Sequence, residues 1–337
     1  MKKKLTSIIA KSNPGVFTRL FSYSHLKKIL AFLDETNSDA RSSLLKLDGY
    51  SNIRNLCLFV PHLLGSEVAV LIDDDEYFED PLFMNKAADF IGGSQGKDNI
   101  LAVAGYYINP DDDYLINKDM SPWMTYWNKN DSMNRAFKKT IASSPRLKET
   151  TFAFGGNLLV HKDLFTQIPF DPQVSRGEDI DFLMNARMFG YKVFLDNEIS
   201  VKHDAPPKTF PIWQQVREDI QRFLFQKKKL ETQESHPEMS FLRAEDLDPY
   251  PGEFLKDDLL DRIFRSNQML AIDYISQGNP EGALECLKNI ELAGKLASIQ
   301  ENPFQDLCAL QKKWRQLMAV FENRKKAEAV ASTIWPG

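Results

Sequence analysis

The chain has 337 residues, 43% of them hydrophobic, and a formal net charge of -5. This length and composition predict one large α/β domain with a helical appendage, or two domains, and the charge gives no whole-chain electrostatic reason to bind nucleic acid. The three scattered cysteines form neither a zinc-knuckle pattern nor a disulfide framework, which favours a reducing, cytoplasmic compartment.

No apolar run approaches the roughly 18 to 20 residues that cross a bilayer, and the basic residues 1–4 precede too short an apolar stretch for a signal peptide. The sequence therefore predicts no transmembrane segment, although peripheral contact with a membrane stays open. The short basic run at Lys227, Lys228 and Lys229 is typical of a solvated helix face.

The first 50 residues carry weak structural signals. An apolar patch at 5–10 would suit a shortened first strand, and a Pro-Gly turn at 14–15 follows it. Apolar residues from Leu26 to Leu33 then recur at helical spacing.

Helix and strand patterns alternate from residue 52 onward, with helices at 53–64, 81–91, 163–168 and 178–189, strands at 68–72, 100–107, 157–161, 191–195 and 199–201, and a loop-rich segment at 109–150.

The chain becomes mainly helical after the prolines at 206–207. Helices are predicted at about 211–230, 255–277, 280–297 and 304–331. Prolines and a glycine between 237 and 252 interrupt this pattern, so we predict an α/β domain at 1–235 and a helical region at 236–337.

Three aspartates follow the apolar run at 68–72. Carboxylates at the end of a buried strand are costly unless charge compensates them, so Asp73, Asp74 and Asp75 favour a divalent cation, with Asp75 as the preferred ligand. The alternative is a solvated acidic turn.

A second acidic segment lies about a hundred residues further on, where Glu178 and Asp179 begin a predicted helix. The free N–H groups and the positive dipole end of a helix favour ionised carboxylates, which are able to accept a proton. The alternative is that both residues only cap the helix, and we expect Asp181 to support it.

Other residues have two interpretations each. His203 follows an apolar strand and is either a metal ligand or an ordinary hydrogen-bonded histidine. Gly155 and Gly156 either let a ligand approach the backbone or simply form a turn. The acidic run at 111–113 has no strand before it, so we expect a solvated loop there.

Several short motifs occur in a fixed order over about residues 52–205: Arg54-Asn55, Gly65-x-Glu67, Leu71-Ile72-Asp73-Asp74-Asp75, Phe154-Gly155-Gly156-Asn157, Gly177-Glu178-Asp179-x-Asp181, Arg187, Gly190 and Val201-x-His203. Their order resembles that of GT-A glycosyltransferases, with the closest likeness to glycosyltransferase family 2. Each motif alone is weak, and the specificity lies in the order.

The resemblance implies a GT-A-like fold, an open mixed α/β sheet flanked by helices, here with a C-terminal all-helical extension. It also implies a nucleotide-sugar donor and a hydroxyl acceptor, which is a glycan, a lipid or a small molecule. Mn²⁺ or Mg²⁺ would bind Asp73 and Asp75, with His203 as a further ligand. Asp179, or else Glu178, would be the catalytic base.

The resemblance further implies a set of donor contacts, namely Asp73, Asp74, Gly155, Gly156 and Arg54. The aromatic residues Trp123, Tyr126 and Trp127 either stack on a sugar ring or belong to the core.

The chain departs from the family before its first acidic segment. Only 72 residues precede Asp73, and they hold no clear apolar strand followed by an Asp-rich turn. One alternative is therefore a noncatalytic relative with a shortened N-terminal half, which binds sugar nucleotides or glycans or acts in assembly. A nucleotidyltransferase is a third hypothesis, but it would need a Gly-rich basic phosphate loop that the sequence does not show.

Overall fold

The computed structural model describes residues 2–12, 17–35, 44–116, 121–206 and 209–335. The predicted turn at 14–15 lies outside these residues. The helices are α1 (Lys2–Ser12), α2 (Tyr23–Glu35), α3 (Tyr50–Leu64), α4 (Phe83–Ala88), α5 (Lys129–Thr140), α6 (Lys162–Phe165), α7 (Glu178–Met188), α8 (Ile212–Glu231), α9 (Leu259–Ser276), α10 (Pro280–Ser298), α11 (Pro303–Ala319) and α12 (Arg324–Ile334). The strands are β1 (Val68–Leu71), β2 (Glu76–Tyr77), β3 (Ser94–Gln95), β4 (Asp98–Asn99), β5 (Ala102–Ile108), β6 (Leu147–Glu149), β7 (Leu158–His161) and β8 (Phe194–His203).

A mixed six-stranded sheet organises the first two thirds of the chain. Its order is β1-β7-β5-β8-β2, and β6 also pairs with β8. Only the β5–β8 pair is parallel. The predicted mixed sheet flanked by helices, with a helical C-terminal region, is thus confirmed at the level of fold class.

The strand that leads into the three aspartates lies at the edge of this sheet. The sequence predicted a buried strand here, and β1 pairs only with β7 among the described residues. The described residues before β1 form helices and supply no strand for its outer side. The patch at 5–10, expected as a shortened strand, belongs to α1.

The helix before β1 is hydrogen-bonded to a distant segment and ends at a glycine. Asn55 of α3 donates its side-chain N–H to the carbonyl of Phe170 (2.9 Å), and its amide oxygen accepts from the Phe170 N–H (2.8 Å). The helix ends at Gly65, whose φ of 80° is a left-handed conformation that suits glycine. This turn leads directly into β1.

Helices α7 and α8 are joined by a buried ion cluster. Lys229 has no exposed side-chain surface and donates to both carboxylate oxygens of Asp181 (2.8 and 3.0 Å) and to Asn185 (3.0 Å). Asp171 accepts from the same ammonium group at 3.4 Å. The prediction of a solvated basic face is therefore wrong for Lys229, because tertiary contact gives this lysine two carboxylate partners. Asp181 supports the helix, as expected.

Three predicted segments differ in the structure. The loop-rich segment at 109–150 contains α5, β6 and a 3-10 helix at Pro122–Thr125. The two strands expected at 191–201 form the single strand β8, and the helix expected at 304–331 is divided into α11 and α12. Trp123 and Trp127 are buried core residues.

The C-terminal helices contact the sheet region. Trp314 of α11 donates its indole N–H to the carbonyl of Phe165 (2.7 Å), and Arg324 at the start of α12 donates to the carbonyl of His62 (3.0 Å). The larger of two hydrophobic clusters among the described residues includes residues from Leu26 to Ile334. The division at residue 235 follows the end of α8 and stays a prediction.

Within the described part of the chain, no helix combines the length and the apolar character that a bilayer crossing requires.

Candidate active site

The two acidic segments line one cavity of about 620 Å³. Asp73 comes from the turn after β1, whereas Glu178 and Asp179 come from the first turn of α7. Residues far apart in sequence therefore meet at a single concave surface. This volume lies within the usual range for small-molecule sites.

Arg54 connects the two segments. Its Nη2 lies 2.8 Å from Asp73 Oδ1, and its Nε lies 3.6 Å from Glu178 Oε1. The arginine is buried beneath Gly155, where an added Cβ would lie 2.8 Å from Nη2. A guanidinium group between two carboxylates offsets part of their repulsion and holds α3, the β1 turn and α7 in a fixed relation.

Asp179 is oriented by the backbone. Its Oδ1 accepts from the N–H of Ile180 (2.7 Å) and its Oδ2 accepts from the N–H of Gly155 (3.1 Å). Gly177, which precedes α7, has a φ of 70° that favours glycine. A side chain there would also collide with Arg222, whose Nη1 lies 2.0 Å from the position of an added Cβ.

The two carboxyl groups at the start of α7 have higher pKa values than the sequence suggests. Burial, with the neighbouring Asp179 adding to it, raises the pKa of Glu178 to about 7. Burial also raises the pKa of Asp179. The helix N-terminus was expected to keep both groups ionised, but removal from water outweighs that effect.

A cluster of three potential metal ligands adjoins Asp73: Asp75, Glu76 and His203. Their ligand atoms all lie within 4.8 Å of one another, and His203 Nε2 is 3.4 Å from Asp75 Oδ2. The antiparallel pairing of β2 with β8 places Glu76 opposite His203. The structure thus joins Asp75 and His203 as predicted, with Glu76 as the third member, whereas Asp73 is paired with Arg54.

The cluster has the donor chemistry of a divalent cation site. Glu76 Oε1 is buried and has no hydrogen-bond partner, which is costly for a carboxylate oxygen. Two carboxylates and an imidazole are suitable ligands for Mn²⁺. These residues therefore fit the metal that the sequence resemblance implies.

Gly156 and Tyr107 form the wall next to this cluster. The N–H of Gly156 donates to the Tyr107 hydroxyl (2.8 Å), and the Tyr107 ring lies 4.7 Å from the His203 ring. A Cβ on Gly156 would lie 2.1 Å from Glu76 Oε1. Both glycines of the pair are thus sites of close approach, to Arg54 at Gly155 and to Glu76 at Gly156.

A second, smaller cavity of about 240 Å³ also adjoins the first turn of α7. It shares Arg176, Glu178 and Asp179 with the larger cavity. Its remaining wall is mainly aromatic and basic: Lys129, Phe137, Phe152, Phe154, Arg222 and Tyr250. Asp179 therefore lines both of these chambers.

Some predicted residues lie away from this arrangement. Asp74 is exposed, and so is the run at 111–113, as expected for a solvated loop. Trp123 and Trp127 are core residues and line neither chamber.

Three residues of this arrangement were not predicted from the sequence as site residues. Glu76 was considered only as part of a solvated turn, and Tyr107 and Arg222 were not considered. Tyr107 lies near the end of a predicted strand, which is a weak signal, and Arg222 gives none because a long-range contact places it.

Comparison with known proteins adds no relative. No protein-family model matches the chain, and no curated protein matches it.

Proposed function

We propose that this protein is a metal-dependent glycosyltransferase, which moves a sugar from a nucleotide-diphosphate donor to a hydroxyl acceptor. The observation that supports this most is the meeting of Asp73, Glu178 and Asp179 at one cavity, with the Asp75–Glu76–His203 cluster beside it. The order of sequence motifs points to the same activity.

The larger cavity is the donor chamber in this proposal. Arg54 supplies positive charge beside it, and Gly155 keeps that part of the wall free of a side chain. When bound by Asp75, Glu76 and His203, Mn²⁺ supplies further positive charge for a departing diphosphate. Asp73 orients Arg54 through their ion pair.

The smaller cavity is the acceptor chamber. A hydroxyl held there lies next to Asp179, whose two backbone hydrogen bonds fix the carboxylate in one orientation. In an inverting reaction Asp179 takes the proton of that hydroxyl as its oxygen attacks the donor sugar. The raised pKa of Asp179 makes it a stronger base than an exposed aspartate.

Donor hydrolysis tests the proposal. Purified protein with Mn²⁺ is expected to release nucleoside diphosphate from at least one nucleotide sugar in a donor screen. Asp75→Ala should abolish the Mn²⁺-dependent part of this release, and Asp179→Asn should lower it by about 100-fold or more, because a general base, which here deprotonates the attacking water, contributes about 10²- to 10⁴-fold.

Asp111→Ala is the matched control, because Asp111 lies in the exposed acidic run and lines neither chamber. It should keep full activity. Absence of Mn²⁺-dependent turnover with every donor, or full activity in Asp75→Ala, would contradict the proposal.

A noncatalytic sugar-nucleotide-binding or glycan-binding relative is the second candidate. The edge position of β1 favours it, because the described residues offer no strand beyond β1 in the sheet. Calorimetry distinguishes the two, since a binding protein takes up nucleotide sugar without turnover.

A further inference from the structure

Two exposed aromatic side chains stand at the mouth of the larger cavity. Tyr50 is 65% exposed and Phe210 is 60% exposed, and both line the cavity together with Arg54 and Asp73. Single exposed apolar residues are ordinary on a protein surface. Two aromatic rings at one concave, charged site are a more specific arrangement.

Tyr50 is held in a fixed relation to Arg54. It occupies the first turn of α3, four residues before Arg54, so both side chains lie on the same face of the helix. Ser51 donates its hydroxyl to the carbonyl of Val174 (2.8 Å) and ties that first turn to the segment before α7. The ring is therefore exposed on an anchored backbone.

Phe210 is also held by a local contact. The side-chain N–H of Gln215, in the first turn of α8, donates to the carbonyl of Phe210 (2.9 Å). Gln215 itself lines the same cavity. The two rings thus come from different parts of the chain, Tyr50 from α3 and Phe210 from the segment before α8.

The sheet gives a reason to look for a separate ring-binding surface. Among the described residues, no strand lies beyond β1 in the sheet. The end of such a strand therefore does not supply a binding surface for a planar group next to Arg54. Aromatic side chains bind planar rings by stacking, and they do so without strong preference for one base. Arg54 and Arg176 are the cationic residues of this lining and are paired with Asp73 and Glu218 respectively; guanidinium groups suit the phosphates attached to such a ring.

We propose that Tyr50 and Phe210 form the nucleobase subsite of this cavity, with the diphosphate of the same ligand directed towards Arg54. The ligand class is a nucleoside diphosphate and its sugar conjugates. This inference rests on the proposed function, because it assigns the base-binding part of the proposed donor chamber. It assigns no particular base, since stacking does not require one.

Calorimetry with and without the base tests the subsite. The probes are UDP, GDP and ADP, each with Mn²⁺, and inorganic pyrophosphate with Mn²⁺ as the base-free probe. Tyr50→Ala and Phe210→Ala should each weaken the tightest nucleoside diphosphate by about 5- to 140-fold, which corresponds to about 1 to 3 kcal/mol per stacked base. Pyrophosphate affinity should stay unchanged, and Tyr50→Phe should bind like the unmodified protein.

Two exposed aromatic residues elsewhere are the matched controls. Tyr23 is 65% exposed and Phe241 is 66% exposed, and neither lines the cavity. Tyr23→Ala and Phe241→Ala should bind all probes normally.

The possible failures are distinguishable. If the unmodified protein binds no nucleoside diphosphate, the proposed function fails and this subsite with it. If it binds one and both alanine variants keep that affinity, the subsite alone is overturned. An equal loss of pyrophosphate binding in the variants would also overturn it, because the defect would then not concern the base.

Discussion

Arg54 is buried between carboxylates of two distant segments and has contacts with both. Its distances of 2.8 Å to Asp73 and 3.6 Å to Glu178 differ, so the stronger pairing is with Asp73. Arg54 therefore compensates the negative charge of the buried Glu178 carboxylate less well than that of Asp73. This imbalance agrees with the direction of the Glu178 pKa, which burial raises to about 7.

Glu178 should therefore make stability depend on pH. The unfolded chain releases the Glu178 proton near its ordinary value of 4.5, whereas the folded chain keeps it up to about pH 7. Between these values the folded state binds more protons, so the free energy of unfolding falls as pH rises. One pKa unit corresponds to about 1.4 kcal/mol, which gives a loss of about 3 kcal/mol between about pH 4.5 and about pH 8.

Urea unfolding of the unmodified protein and of Glu178→Gln at both pH values measures this. Glu178→Gln should gain about 3 kcal/mol over the unmodified protein on going from the lower to the higher pH. A constant difference between the two proteins at both pH values would contradict the assignment of this pKa.

The sequence predicts the carboxylates of the candidate site better than it predicts the residues around them. Asp75 and Asp179 are predictable because acidic residues directly after an apolar run or at the start of a helix form recognisable local patterns. Glu76 and Arg222 owe their roles to contacts with Gly156 and Gly177, far away in the chain. The pKa direction at Glu178 was not predictable, because it depends on burial and no local pattern reports burial.

The α7–α8 pair depends on its buried ion cluster. Lys229 is the cation shared by Asp181 and Asp171, and all three side chains are almost completely buried. Because α7 begins with Glu178 and Asp179, any shift of this helix moves the acidic end of the candidate site. The cluster therefore links helix packing to the geometry of both chambers.

Lys229→Met should destabilise the protein by about 3 to 5 kcal/mol, because it leaves buried carboxylates without their cation. Adding Asp181→Asn should recover part of that loss, since the substitution removes one of the unpaired charges. Guanidinium unfolding of the single and double variants measures both effects.

Lys295→Met is a suitable control, because this lysine is 70% exposed and pairs with Glu291 four residues before it. It should change the free energy of unfolding by less than about 0.5 kcal/mol. A similar small effect for Lys229→Met would contradict the role of the cluster.

Helices with a clear apolar stripe were predictable, and elements with a polar surface were not. Most of α5 is polar, with Ala136 and Phe137 as its buried apolar residues, so periodicity gave little signal. Strand β8 was expected to break at its central polar residues. It is a single strand, but its pairing with β5 is irregular between Leu195 and Ser200, where Asn197 donates to the carbonyls of Ile141 and Ser143 (both 3.0 Å).

The C-terminal helices complete the core of the sheet region. Phe321, after α11, lies 5.3 Å from Phe59 of α3 and 5.8 Å from Phe32 of α2, measured between ring centroids. Trp314 is fully buried and bonded to Phe165. The helices before β1 and the last two helices therefore share one hydrophobic interior, and neither group covers its apolar surface alone.

Trp314→Ala should lower the stability of the whole protein by about 3 to 5 kcal/mol, the usual cost of truncating a buried aromatic residue. Hydrogen exchange should show faster opening of β5 and β7 together with α11, because all belong to one core. Phe264→Ala, at a 46% exposed position, is the control and should leave these rates nearly unchanged. Faster exchange confined to α11 would show that the C-terminal region opens independently.

The overall topology was only partly predictable. The alternation of strands and helices gave the mixed α/β class, but strand order depends on which segments pair over long distances. Nothing local to Val68 or Leu71 distinguishes an edge strand from a central one, because burial by helices produces the same apolar run.

The enclosure of Lys229 has a consequence for chemical labelling. Its amine has no solvent-exposed surface, while Lys295 is 70% exposed on the molecule's exterior. An amine-reactive reagent would modify Lys295 in the native protein and reach Lys229 only when α7 and α8 separate. Mass spectrometry of the peptide that contains Lys229 would then measure the rate at which α8 separates from α7, the helix that carries Glu178 and Asp179.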